Sequence, residues 1–313
     1  MDRRSFLMGT TLASASGLAI PFLRAQSDSG ISKRKLDRMA ISSSSYRANY
    51  DGLNTSIPTV MPRLSHLTFG KYVKERFGIT QIELWDQQWG LKTHAASDYT
   101  IDQCREIKTA CDTVGVRVIS IEVGDITSLA DTDPAVHEQA IKEGKAWLDK
   151  AKAAGAGSIR IDPNRQTNAG DVNSIVDALK QITAYGRTIC MRVLIENHSG
   201  YTSNIAHMLE VIKAVNNDYC AGELDWGKWS PPGNRYMDMQ AAMPYVYIVS
   251  AKAEVFDEQT YEHVTFDIAK LVHNAEAGGF KGIYSLELYG SPAPKDTDRA
   301  VRWMMKTIAD NIG

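Results

Sequence analysis

Short runs of aliphatic and β-branched residues recur along the chain at 38–43, 79–85, 116–124, 158–164, 192–198, 220–227, 245–252 and 282–288, each with the length of a strand. Between them the apolar positions change to helical spacing, over 101–114, 134–154, 171–187, 203–215, 264–277 and 297–311. The stretch 134–154 opens on Asp133-Pro134, a helix cap followed by proline at the first helical position. Repeated strand–helix units call for parallel strands, and eight of them predict closure into a barrel. The pattern therefore predicts an α/β protein, a (β/α)8 TIM barrel, as one domain over 27–313, close to the roughly 250 residues typical of that fold.

Parity inside the strands carries the chemistry. A parallel strand covered on both faces reads as almost wholly apolar, yet these alternate: Gln81-Ile82-Glu83-Leu84, Ser120-Ile121-Glu122-Val123, Arg160-Ile161-Asp162, Arg192-Val193-Leu194-Ile195-Glu196, Glu223-Leu224-Asp225, Ser250-Ala251-Lys252 and Ser285-Leu286-Glu287. One inner face thus gathers acids, arginines and a lysine, and buried charge is costly unless paired. Arg160, Arg192 and Glu223 sit lower in their strands and are read as an internal ion-pair network. Glu196, Asp225, Lys252 and Glu287 fall at strand C-termini, the end of a barrel that carries its chemistry. Glu83 and Glu122 reach the same level, as site residues or as groups that orient a neighbour.

The segment Leu194-Ile195-Glu196-Asn197-His198-Ser199-Gly200 resembles the Glu-Asn-x-x-Gly element of the xylose isomerase-like barrel superfamily, the sugar phosphate isomerase/epimerase kind. Leu224-Asp225-Trp226-Gly227 is similar to its strand-six aspartate, Ser250-Ala251-Lys252 to its His-x-Lys, and Gly282-Ile283-Tyr284-Ser285-Leu286-Glu287 to its closing Gly-x-x-Ser-x-Glu. The resemblance implies a divalent metal held by Glu196, Asp225 and Glu287. Such an oxygen-rich set suits Mn²⁺ or Mg²⁺ better than Zn²⁺. Two departures bear on it: Ser250 stands where the family has histidine, and Lys228 where many relatives have a second. Without a metal, Lys228 and Lys252 neutralise the acids and stabilise a developing oxyanion.

The implied reaction is sugar isomerisation or epimerisation, begun by removing a proton beside a carbonyl, with Glu196 and Glu287 as the acid/base pair. His198, Lys252, Lys228, Glu83, Asn197 and Trp226 are the expected substrate-binding residues, and Trp85, Trp89 and Trp229 are further candidates for stacking on a sugar ring. A keto-sugar lyase or hydratase would start with the same step, and a non-catalytic sugar-binding protein is the rival that the missing histidine suggests. The superfamily's DNA-repair endonuclease branch needs a histidine-rich three-metal cluster and a basic surface, and neither is seen.

The resemblance implies a small-molecule carbohydrate substrate, and composition bears on what is excluded. Hydrophobic residues make up 43% and charged residues 23%, enough apolar content for a sizeable core. The net charge of −2 falls by two more once residues 1–25, with Arg3, Arg4, Arg24 and Asp2, are set aside, which recruits neither nucleic acid nor an anionic membrane. Arg3-Arg4-Ser5-Phe6-Leu7 before a short apolar stretch resembles a twin-arginine signal over 1–26. It predicts a periplasmic or secreted protein without stable membrane insertion. A homo-oligomer is left open. Cys104 and Cys111 lie too far apart along one helix to bridge. Cys190 and Cys220 could lie side by side, although buried thiols are the simpler expectation.

Overall fold

The strands form where the sequence pattern places them: β1 Met39–Ser42, β2 Gln81–Trp85, β3 Arg117–Val123, β4 Ser158–Ile161, β5 Arg192–Glu196, β6 Cys220–Asp225, β7 Val246–Ala253 and β8 Ile283–Leu288. Each pairs in parallel with the next, and β8 pairs with β1 to close the barrel. The helices are α1 Lys33–Leu36, α2 His66–Phe77, α3 Ile101–Val114, α4 Pro134–Ala153, α5 Val172–Thr188, α6 Ile205–Val215, α7 Arg235–Ala242, α8 Ile268–Ala277 and α9 Thr297–Asn311. This is a (β/α)8 TIM barrel. The computed structural model describes residues 30–50, 63–88, 99–124, 126, 128–163, 172–229, 234–290 and 296–313. The expected export segment, Trp89 and residues 230–233 lie outside them.

Local chemistry explains where the helices start and stop. Asp133 accepts from the backbone N–H groups of Ala135 and Val136 ahead of α4, and Thr100 and Gln103 form a reciprocal capping box on α3, so donors with no partner inside the helix are satisfied. Asp267 caps α8 through Lys270 N–H, which is why that helix begins at Ile268 rather than at 264. Gly115 ends α3 with φ of 66°, a left-handed conformation that side chains with a Cβ resist.

The core has two parts. Outward strand residues such as Ile82, Ile121, Val193, Leu224 and Leu286 pack under the helices in one continuous cluster. A second, small cluster of Ala40, Ile119, Leu194 and Ile248 fills the barrel interior. Above this apolar plug the inward positions turn polar: Ser42, Glu83, Glu122, Glu196, Glu223, Ser250, Ser285 and Glu287 are all buried. The four cysteines are free thiols. Cys220 is buried and Cys190 exposed, so the side-by-side arrangement is not formed. Among the described residues, no helix is long and apolar enough to cross a membrane.

Candidate active site

Two cations organise the polar layer. The Arg160 guanidinium, carried by β4, donates to Glu122 Oε2 at 2.5 Å and also binds Glu196 Oε2. Lys252 Nζ, carried by β7, lies 3.0 Å from Asp225 Oδ2 and 3.0 Å from Glu287 Oε1. Ser250 Oγ donates to Glu287 Oε2 at 2.7 Å, and Asp225 Oδ1 accepts from the backbone N–H of Gly227 at 2.7 Å and of Lys228 at 3.3 Å. Ser42 Oγ donates to Glu122 Oε1. Glu196 Oε1 has no hydrogen-bond partner.

These contacts divide the acids. Burial pushes Glu122 and Glu196 above the ordinary carboxylate range, with Arg160 opposing the shift at both. Burial would raise Glu287 too, but Lys252, Arg160 and the Ser250 hydroxyl outweigh it and hold the carboxyl down at about 2. The Lys252 ammonium is stabilised against its own burial by Asp225 and Glu287, which push it well above the ordinary lysine value. Burial works against protonation of His198, but its bond to Asp162 and the nearby Glu196 carboxylate raise it. His198 Nδ1 stands 3.5 Å from Asp162 Oδ2.

A cavity of about 180 Å³ opens over this layer, at the C-terminal ends of the strands. Its floor includes Glu122, Arg160, Glu196, Lys252 and Glu287, and its sides include His198, Lys228, Trp85 and Tyr289. Trp85 and Tyr289 meet edge to face, 5.9 Å between centroids, and Arg47 sits 4.1 Å over the Tyr289 ring. A polar floor under an aromatic wall suits a small polyhydroxylated molecule with one apolar face.

The structure brings Glu196, Glu287, His198, Lys252 and Lys228 together around the cavity. The other expected residues lie behind it. Asp225 grips Lys252 from below. The Asn197 amide donates to the carbonyls of Asp225 at 3.0 Å and Lys228 at 2.6 Å and accepts from Asp225 N–H at 2.7 Å, so it fixes the end of β6 to the end of β5. Glu83 is buried and accepts from Ser285 Oγ at 2.6 Å. Trp226 is fully buried against Tyr284, 5.9 Å between centroids, because the chain turns outward after Asp225. Trp229 bonds to Asp238 through its indole N–H at 3.1 Å.

Of the three residues expected in an internal ion-pair network, Arg160 is in one, with Glu122 and Glu196, whereas Arg192 and Glu223 are not. Arg160 is level with Leu194, two residues below Glu196 on β5, but its side chain spans that rise of roughly 6.6 Å and reaches the cavity floor. Arg192 turns to the rim at the opposite end, bonding Asp218 O and lying over Tyr219 and Tyr247 at 5.3 and 4.7 Å. Both Glu223 oxygens lack a hydrogen-bond partner, and burial together with Glu83 pushes Glu223 well above its ordinary value, with Arg160 opposing the shift. Inward parity flagged Glu122, Arg160 and Asp162; nothing in the sequence marked Tyr289.

The ligand atoms of Glu196, Asp225 and Glu287 lie within 4.8 Å of one another, a spacing that can hold a metal ion. The donor set is otherwise engaged, however, for Glu196 Oε1 alone among the six carboxylate oxygens has no partner. Any cation ligated by both Asp225 Oδ2 and Glu287 Oε1 at about 2.1 Å would lie within about 5 Å of Lys252 Nζ, by addition of the two distances. Repulsion between a divalent ion and an ammonium at that separation is about 6 to 7 kcal/mol at an effective dielectric of about 20. The ion and the ammonium therefore compete for the same two oxygens, and the residues do not fit a divalent ion while Lys252 holds its place.

A closed parallel barrel with a carboxylate-lined cavity at the C-terminal ends of its strands sets the class, a (β/α)8 barrel with its polar site where that fold keeps its chemistry. The chain belongs to the xylose isomerase-like TIM barrel family, whose model matches residues 72–307. A search of curated proteins found no match. Among solved structures the chain is similar to an L-ribulose 3-epimerase, with TM-score 0.68, 14% identity, and 88% of this chain and 94% of that one covered. It is also similar to a 3-keto-D-glucoside 4-epimerase from E. coli, with TM-score 0.61, 13% identity, and 87% and 97% covered. A third is a xylose isomerase-like TIM barrel protein from Mycobacterium smegmatis solved in complex with magnesium, with TM-score 0.62, 15% identity, and 90% and 100% covered. At these identities the likeness is one of fold.

Proposed function

We propose that the protein is a sugar isomerase or epimerase that removes a proton from the carbon beside a carbonyl. The observation that carries this reading is Glu196: a carboxylate lining the cavity, raised by burial, with one oxygen that no protein group occupies. A base is most effective when its pKa lies near the working pH, and burial moves Glu196 in that direction. In this reading Glu196 Oε1 takes the proton. Lys252 and His198, both lining the cavity, meet the negative charge that develops on the substrate oxygen. Glu287 is the second carboxylate, acting from the β8 side. It is held ionised by Lys252 and the Ser250 hydroxyl, so it serves as a fixed negative charge that can accept but not supply a proton. The two epimerases of like fold act on keto-sugars by name, which supports a carbohydrate of that kind as substrate.

A divalent ion, Mn²⁺ or Mg²⁺, on Glu196, Asp225 and Glu287 is a second reading, favoured by the spacing of the three carboxylates and by the magnesium in a structure of like fold. If bound, it would supply Lewis-acid charge to the substrate oxygens, and Lys252 would have to withdraw.

The test is incubation with a panel of keto- and aldo-sugars in D₂O. Deuterium should enter the carbon beside the carbonyl, and Glu196→Gln should retain the fold and lose about 10²-fold or more in turnover. Loss of water from the substrate would mark a lyase or hydratase instead. Tight sugar binding without exchange would refute the enzyme reading.

A further inference from the structure

The cavity floor already contains a positive charge between the carboxylates that would ligate an ion. Lys252 Nζ is equidistant, at 3.0 Å, from Asp225 Oδ2 and Glu287 Oε1, and the Lys252 side chain is 3% exposed. It stands 5.3 Å from the Tyr289 ring centroid, a cation–π distance. The backbone has been shaped for its stem. A Cβ on Gly227 would lie 2.6 Å from Lys252 Cδ and 3.0 Å from Cγ, and Gly227 has no positive φ to account for the glycine otherwise. The strand supports the same arrangement. Ser250, two residues before Lys252 on the same face of β7, gives Glu287 Oε2 a proton donor at 2.7 Å, the opposite polarity to a ligand. Asp225 Oδ1 is turned to two backbone N–H groups.

We propose that the Lys252 ammonium is the resident cation of this site, filling the place of a divalent ion, so that the protein is built to work without one. Ammonium has three N–H donors. Two go to Asp225 and Glu287, and the third remains for a substrate oxygen in the cavity that Lys252 lines. This assignment rests on the reading of the cavity as a proton-abstraction site, where charge on a carbonyl oxygen must be met. Glycine at 227 and serine at 250 are then parts of one device, the first giving the lysine stem room and the second completing the solvation of Glu287.

Mn²⁺ alone is the probe. Chelator-stripped wild-type protein, titrated with Mn²⁺ and followed by the electron paramagnetic resonance of the free ion, should show no stoichiometric binding up to millimolar concentration. Lys252→Met removes the charge and keeps the length, and it should bind one Mn²⁺ per chain at least tenfold more tightly than the wild type. Ser250→His restores an imidazole donor but leaves Lys252, and it should still not bind. One tightly held Mn²⁺ in the wild type or in Ser250→His overturns the proposal. So does a folded Lys252→Met variant that binds none, since the carboxylates would then not be the site that the ammonium fills. If Lys252→Met does not fold, the wild type and Ser250→His decide the matter. Deuterium exchange by the stripped wild type reports on the proton-abstraction reading separately. Its loss across all sugars, with the metal titrations as expected, removes the reaction and leaves the resident cation standing.

Discussion

Replacing Arg160 by methionine isolates the role of one buried cation. Methionine keeps most of the length and deletes the charge and all the donors, leaving Glu122 and Glu196, whose side chains are 2% and 1% exposed, without their counter-ion. Breaking a buried pair in this way costs about 3–5 kcal/mol. The ceiling follows from protonation: taking a carboxyl with an ordinary pKa of about 4.3 to its neutral form at about pH 7 costs about 3.7 kcal/mol, so two such groups cap the loss near 7 kcal/mol. The folded variant holds extra protons, so each pH unit of acidification should return about 1.4 kcal/mol if one carboxyl is protonated and about 2.7 kcal/mol if both are. Urea unfolding of wild type and variant across a pH series measures both quantities. A variant unfolded at neutral pH that refolds on acidification meets the same expectation. A gap that stays constant with pH, or a loss below about 1 kcal/mol, would refute the argument that Arg160 neutralises two buried carboxylates.

Wild-type stability should itself peak on the acid side of neutrality. Glu287 is held at about 2, so its contribution of about 3 kcal/mol is present above its unfolded value of about 4.3 and is lost as the pH falls toward 2. Glu122 and Glu223 are raised, so what they contribute is complete below about 4.3 and is lost as the pH rises. A melting temperature that climbs steadily from pH 4 to pH 8, judged against these values of about 4.3, would contradict that account. Gly186→Ala should destabilise by about 1–3 kcal/mol in thermal or urea unfolding, because its Cβ would lie 2.5 Å from the Met191 carbonyl oxygen. Gly144→Ala, where the obstacle is the tip of Ile182 at 2.6 Å, should cost less. The Arg3-Arg4 segment is proposed to direct export, so changing both to lysine should leave the protein in the cytoplasm, as fractionation would show.

The strands were legible because short aliphatic and β-branched runs recur between stretches of helical spacing, and the inward parity of Glu196, Asp225, Lys252 and Glu287 placed them at one end of the barrel. Side-chain reach was not legible. Arg160 read as low in its strand because a sequence sets the height of a Cα, whereas the guanidinium acts two residues higher on β5. Trp226 follows a site residue by one position, but a strand's end does not announce which way the chain leaves it, and here the indole goes into the helix-facing core. Glu223 has the inward parity expected of it, at the level of Glu196. It makes no ion pair because the Arg160 guanidinium is engaged by Glu122 and Glu196, and burial then pushes Glu223 above its ordinary value.

Asn197 joins the ends of β5 and β6 with three hydrogen bonds, one carbonyl partner being that of Lys228 beyond the strand. Glu196 and Asp225, each adjacent to that clamp, are thereby fastened as one rigid piece before the loop after β6 begins. Changes in the chain beyond Lys228 can then be made without disturbing the spacing of the carboxylates. An engineer seeking new substrates for this barrel should leave Asn197 alone together with Glu196 and Asp225, because its three hydrogen bonds hold their spacing.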